Sequence, residues 1–188
     1  MKKTVVVFLA EGFEEVEAIT PIDYLRRAGC EVSVTGVDSS VVKSSRKLSI
    51  NCDTRISAAD YTILPDLIVL PGGMPGASNL AANTALEDLT KRMFAAGKMV
   101  AAICAAPAVI LGEWGLLDGY TWTCFPEMED GYGGTHLTKE LVQDRNLITA
   151  RAAGVAEEFS LAIISALCGQ EVSTKIAKDI LARGTREM

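Results

Sequence analysis

Two short runs, Val5-Val6-Val7-Phe8-Leu9 and Leu67-Ile68-Val69-Leu70, are apolar at every position, and no other feature constrains the fold as strongly. A strand with one wet face alternates apolar and polar residues, whereas one apolar throughout must be covered on both faces. Segments of helical period separate these runs from others of strand length, which is the pattern of βαβ units around a parallel sheet. The strands predicted are Thr4 to Leu9, Glu31 to Val37, Asp66 to Leu70, Lys98 to Ile103 and Leu147 to Ala150. The helices predicted are Glu14 to Ala28, Asn79 to Ala96, Ala105 to Leu111 and Glu157 to Leu167, with Gly29, Gly97 and Gly169 placed for left-handed C-terminal caps. The expected fold class is α/β, with a mostly parallel central sheet and helices on both faces.

The 188 residues, 49% of them hydrophobic, suffice for one substantial core and fall short of two, so one domain over residues 1–188 is expected. Short, polar-interrupted β-like runs between Val41 and Ile56 read as an excursion at the sheet edge. Pro126, Gly131, Gly133 and Gly134 mark the segment Thr121 to Gly134 as a loop after a short strand. A formal charge of -6 leaves no basic stripe to neutralise a row of phosphates, which argues against nucleic acid and anionic membranes as partners. Lys2 and Lys3 precede an apolar run, but the run is short and meets Glu11, Glu14, Glu15 and Glu17, so it is read as a strand and not a leader. No stretch is long enough to span a bilayer. The five cysteines, Cys30, Cys52, Cys104, Cys124 and Cys168, are scattered and odd in number, which fits a soluble protein of the reducing cytoplasm.

In open parallel sheets ligands bind beyond the carboxyl ends of the strands. Three such ends stand out: Glu11 to Glu17, Pro71-Gly72-Gly73, and Cys104-Ala105-Ala106-Pro107. Cys104 follows a strand directly and precedes a helix with Pro107 in its first turn, and small residues two positions either side, Ala102 and Ala106, allow the sharp turn of a nucleophile elbow. A cysteine in an alanine-rich segment is equally the mark of a core residue, and the residues alone leave both readings open. The free N–H groups of a helix N-terminus would lower the thiol below its usual value of about 8.5. The glycines at Gly72 and Gly73 would let backbone N–H groups approach a ligand.

Glu14 and Glu15 suit the first turn of a helix as solvated acids. Glu17 shares the stripe Phe13, Glu17, Thr20, Tyr24, where burial would raise its pKa, although a solvated helix-edge carboxylate fits the same pattern. His136, the only histidine, reads as a surface loop residue. With one histidine and no clustered cysteines, no dedicated metal site is expected, and the absence of a Walker A or G-x-G-x-x-G pattern argues against a nucleotide cofactor.

Together the segments Glu11 to Glu17, Leu70-Pro71-Gly72-Gly73 and Ala102 to Pro107 resemble the ThiJ/PfpI superfamily, in particular the bacterial type of its parkinsonism-associated deglycase branch. The resemblance implies a flavodoxin-like three-layer sandwich, a homodimer, a nucleophilic Cys104 hydrogen-bonded to Glu17, and oxyanion donors from the backbone of Gly73 and Ala105. It implies cofactor-independent action on reactive dicarbonyls such as methylglyoxal, free or already added to amino groups, with Gly72, Phe125 and Gly154 beside the substrate. Animal members carry a histidine where this chain has Phe125. The family's Gly-Pro-Gly-Thr-Ser-like segment appears here as Ala152-Ala153-Gly154-Val155-Ala156, retaining only Gly154. The same cysteine also suits an oxidative-stress sensor or redox-regulated chaperone.

Overall fold

A computed structural model describes residues 2–185. The chain runs through β1 (Thr4–Leu9), α1 (Glu15–Arg27), β2 (Glu31–Gly36), the hairpin β3 (Val41–Lys43) and β4 (Ser49–Asn51), and β5 (Thr54–Arg55). It continues with β6 (Leu67–Leu70), α2 (Gly76–Ala81), α3 (Thr84–Ala95), β7 (Met99–Ile103) and a π-helical segment, Pro107–Gly112. The last part holds β8 (Thr121–Trp122), β9 (Thr135–His136), β10 (Leu141–Asp144), β11 (Leu147–Ala150), α4 (Ala156–Cys168) and α5 (Gln170–Asp179).

Seven strands form one sheet in the order β10-β11-β7-β6-β1-β2-β5. Every neighbouring pair is parallel except β10 with β11. The all-apolar strands lie in its middle, and the two-residue period of a strand explains why they need no polar face. Val5, Val7 and Leu9 of β1 pack with Ala18, Leu25, Phe159 and Ile163 from α1 and α4. Val6 and Phe8 point the other way, to Leu80, Leu86, Leu89 and Met93 from α2 and α3. At about 25 cal/mol per Å² of apolar surface buried, burial on both faces makes these strands strongly stabilising. Gly29 and Gly97 adopt φ values of 83° and 64° at the helix ends where caps are predicted.

Most elements differ from the expected bounds by a residue or two, and three differences bear on the packing. The single helix predicted from Asn79 to Ala96 is two, because the side chain of Asn83 accepts the N–H of Leu86 at 3.0 Å and starts a new helix in mid-segment. The strand predicted from Asp66 begins at Leu67, since the Asp66 carboxylate accepts the N–H of Thr4 at 3.0 Å and pairs with Lys98 at 2.9 Å. Gly169 takes φ 99° and ψ 154°, not the left-handed cap conformation predicted, because the chain turns there directly into α5, which the sequence pattern does not mark and which buries Ser173 and Ile176. The excursion after Val41 is the β3–β4 hairpin, which folds over the start of α1: Gly12 donates to the Lys43 carbonyl and Ser45 to the Phe13 carbonyl, both at 2.8 Å.

Candidate active site

The strand order locates the crevice. From β1 the chain passes to β2 on one side, whereas β6 and β7 lie on the other, and such a reversal opens a cleft at the carboxyl ends of the strands. Residues 10–17 follow β1, residues 71–76 follow β6 and Cys104 follows β7, so three loops distant in sequence converge there.

Cys104 is a non-glycine residue at φ 64°, a left-handed conformation that costs on the order of 1–3 kcal/mol unless its surroundings enforce it. They do so from both sides: its N–H donates to the Ala150 carbonyl at 2.9 Å and its carbonyl accepts the N–H of Phe125 at 2.8 Å. The turn that follows is the π-helical segment from Pro107, not the α-helix predicted from Ala105. The N–H groups of Ala105 and Gly73 hydrogen-bond the Cys104 sulfur.

Glu17 sits one turn into α1 and is 1% exposed, which settles the choice between a buried and a solvated carboxyl. Its Oε2 accepts the N–H of Gly72 at 2.9 Å, and it also hydrogen-bonds Cys104 and the backbone of Ala153. Gly72 is glycine for a steric reason. A Cβ there would lie 2.7 Å from the Cys104 Cβ, 2.8 Å from Glu17 Oε2 and 2.9 Å from the Ile103 carbonyl oxygen.

Burial is the main cause that lifts the Glu17 carboxyl to about 7, against the hydrogen bonds from Cys104 and Gly72 that oppose it. Burial, the Glu17 charge and the hydrogen bond to Glu17 push the Cys104 thiol up to about 12, despite the N–H groups of Ala105 and Gly73. The lowered thiol expected from a helix N-terminus is therefore overturned, because enclosure beside a carboxylate outweighs the local backbone. The arrangement is a pair of buried acids in hydrogen-bond contact, able to pass one proton between oxygen and sulfur.

The residues that build this pair lie within a longer similarity, since the model of the DJ-1/PfpI family matches residues 3–166. The chain belongs to the DJ-1/PfpI family. It is 37% identical over 185 residues to Protein DJ-1 homolog A of Arabidopsis thaliana, which covers 96% of this chain and 47% of that protein, so the chain spans about half the length of that relative. It is 30% identical over 181 residues to Glutathione-independent glyoxalase DJR-1.2 of Caenorhabditis elegans, covering 95% of this chain and 96% of the relative. The solved structure of oxidized Toxoplasma gondii DJ-1 superposes with a TM-score of 0.92 at 37% identity, covering 96% of this chain and 99% of that one. The fold is thus the flavodoxin-like sandwich of the DJ-1/PfpI family.

The remaining residues predicted for this DJ-1/PfpI site are placed unevenly. Phe125 adjoins Cys104 through its backbone, and its side chain is 44% exposed. Gly154 is exposed in the turn Ala153–Val155, and a Cβ on it would meet nothing within 4 Å. Ala153, one residue earlier, is the group that reaches Glu17. The strand-end rule could have found it: Ala150 of β11 pairs with Ile103 of β7, so the residues after β11 must lie beside Cys104.

Two other expectations need correction. Glu15 is 9% exposed, not solvated. Burial raises it, but hydrogen bonds from its own backbone, Ser44, Ser45 and the Arg46 backbone together hold its carboxyl below the usual value. His136 is not on a surface loop. Pairing of β9 with β8 sets it opposite Trp122, ring centroids 5.1 Å apart, with a buried Nε2.

Proposed function

We propose that this chain is a cofactor-independent glyoxalase or deglycase-type enzyme that acts on reactive dicarbonyls through Cys104 and Glu17. The observation that carries the reading is the almost fully buried Glu17 carboxyl, lifted to about 7 and hydrogen-bonded to Cys104. A carboxyl near neutrality exchanges protons in either direction at working pH, which is what a proton shuttle requires.

In the proposed reaction the Cys104 proton passes to Glu17 as sulfur adds to the aldehyde carbon of methylglyoxal, and a hemithioacetal forms. The N–H groups of Gly73 and Ala105 stabilise the oxygen as it gains charge. Glu17 returns that proton to the new oxygen, then takes the C–H proton of the former aldehyde carbon and delivers it to the adjacent carbon as the hydroxyl proton passes to the neighbouring oxygen, converting the hemithioacetal to a lactoyl thioester. Water releases lactate and restores the thiol, so the net change is addition of one water. Gly72 and Phe125 flank the substrate in this scheme, with the turn at Gly154 nearby. The glyoxalase among the relatives supports this chemistry, and adducts on amino groups present the same carbon to the thiol. Incubating purified protein with methylglyoxal and measuring lactate tests the proposal: formation by the wild type and none by Cys104→Ser is expected, and equal rates overturn it.

A second reading, a redox sensor or redox-regulated chaperone that uses oxidation of Cys104, is favoured by the relative solved in an oxidized form. Peroxide titration with mass measurement tests it, and no adduct on Cys104 would exclude it.

The proposed assembly is a homodimer. Val16 and Ile19 on α1 are 45% and 38% exposed, and Val41 and Leu48 on the adjoining hairpin 51% and 54%, an apolar surface suited to a second copy of the chain. Five free cysteines support a cytoplasmic location. No helix among the described residues is long and apolar enough to cross a membrane.

A further inference from the structure

Outside the Cys104 site, one group of side chains among the described residues has the composition of a metal centre. Cys124, Glu129 and His136 each offer one ligand atom, and these atoms lie within 4.8 Å of one another. The local fold explains the meeting. Trp122 of β8 pairs with His136 of β9, Cys124 follows two residues after the end of β8, and the loop after Pro126 brings Glu129 back to both.

A second observation bears on this place independently. Among the described residues, Glu129 Oε2 and His136 Nε2 are the buried side-chain oxygen and nitrogen atoms that lack any hydrogen-bond partner. Folded proteins pair nearly all such atoms. Two unpaired in one cluster, both on residue types that ligate metals and both beside a buried sulfur, are lone-pair donors that a cation could satisfy together.

We propose that Cys124, Glu129 and His136 form a binding site for a divalent transition-metal ion, with zinc the best fit. Donor chemistry selects the ion. Thiolate, imidazole and carboxylate together suit zinc, whose bonds to them are about 2.0–2.3 Å, whereas calcium and magnesium take oxygen donors alone. Three protein ligands leave a fourth position for water or another group. Thiolate and carboxylate cancel the two charges of the ion, and Arg151 is the further charged group that acts on Cys124. The three atoms, all within 4.8 Å of one another, reach the separations of roughly 3.3–3.9 Å that these bond lengths imply through rotamer shifts, chiefly of Glu129 in its loop.

The site touches the reactive cysteine without sharing its residues. The Thr123 N–H is anchored on the Thr149 hydroxyl at 2.9 Å, and the Phe125 N–H on the Cys104 carbonyl at 2.8 Å. An ion on Cys124 therefore stiffens the segment after β8, which holds the Cys104 turn.

The test is cobalt titration of the reduced full-length chain. Expected are a sulfur-to-cobalt absorption in the near ultraviolet and tetrahedral visible bands that saturate at one equivalent and are displaced by zinc. The signal should persist in Cys104→Ser and vanish in Cys124→Ser, and Glu129→Gln and His136→Gln should each weaken binding at least tenfold. Absence of the bands in the wild type overturns the proposal. So does a signal that survives Cys124→Ser and is lost in Cys104→Ser, since the ion would then sit on the other cysteine. The wild-type titration and the Cys104→Ser comparison decide the matter even if a variant of the cluster fails to fold.

Discussion

The Glu17 carboxyl accepts the Gly72 N–H at 2.9 Å, and the same carboxyl hydrogen-bonds the Cys104 sulfur. A buried acid is thereby held by rigid backbone on one side and by a nucleophile on the other. The measurable behaviour of this site depends mostly on which group carries the proton.

Stability should fall as pH rises through neutrality. The folded-state pKa of Glu17 is raised from the ordinary 4.5 to about 7, so the protonated form is the one the fold prefers. The resulting stability is complete below about pH 4.5 and is lost as pH climbs through about 7, up to about 3 kcal/mol in all. Glu17→Gln cannot ionise, yet it can still accept from Gly72 and donate to sulfur. Denaturant unfolding at pH 4.5 and pH 8 should show the variant gaining on the wild type by up to that amount, and parallel pH profiles would count against a buried titrating carboxyl.

Glu17→Gln should also separate acidity from turnover. Removing the carboxylate charge takes away one cause of the high Cys104 pKa, so the thiolate absorbance should rise at lower pH in the variant. Turnover of methylglyoxal should nevertheless drop by about 10²–10⁴-fold, because the amide cannot shuttle a proton. Superimposable thiol titrations in the two proteins would show that the groups are not coupled.

Gly72→Ala and Gly154→Ala form a matched pair. The first puts a methyl group 2.7–2.9 Å from Cys104, Glu17 and the Ile103 carbonyl, and the second meets open space. Unfolding in urea should show a loss of about 1–3 kcal/mol for Gly72→Ala and a change within about 0.5 kcal/mol for Gly154→Ala. Equal effects would mean that the packing around Gly72 relaxes freely.

In alkylation, Cys104 should react before Cys30. Both thiols are pushed up to about 12, but Cys104 alone of the two has a carboxylate base in contact, and Cys30 is 7% exposed. Peptide mapping after brief iodoacetamide treatment measures the order.

The dimer proposal predicts that Val16→Asp, on a residue 45% exposed in the single chain, yields a monomer. Sedimentation at micromolar concentration reads this directly, and an unchanged mass would move the interface elsewhere or remove it.

Much of this architecture is legible in residue patterns, and the exceptions have physical causes. Val5 to Leu9 and Leu67 to Leu70 can be read because burial on both faces leaves no position for a polar residue. The elbow at Cys104 can be read from its small neighbours and Pro107. The direction of its pKa cannot, since that depends on enclosure by segments far away in the chain. The same holds for Glu17, whose stripe on α1 allows a wet or a dry face until Gly72 and Ala153 close over it. His136 passes for a loop residue because β8 and β9 are two residues each, too short to leave a period in the sequence. Ala153 lies in a segment that keeps only Gly154 of the family's pattern, so the resemblance points to the neighbouring glycine, and the place of β11 beside β7 identifies Ala153 itself.

The clamp on Cys104 also fixes when, during folding, the site comes into being. Its N–H waits for Ala150, and Glu17 waits for Ala153, partners contributed more than a hundred residues after α1. Contacts of such sequence separation close a long loop and form late. Regain of Cys104 reactivity in a refolding experiment therefore reports the docking of β11 on β7, and should lag behind the appearance of helical signal.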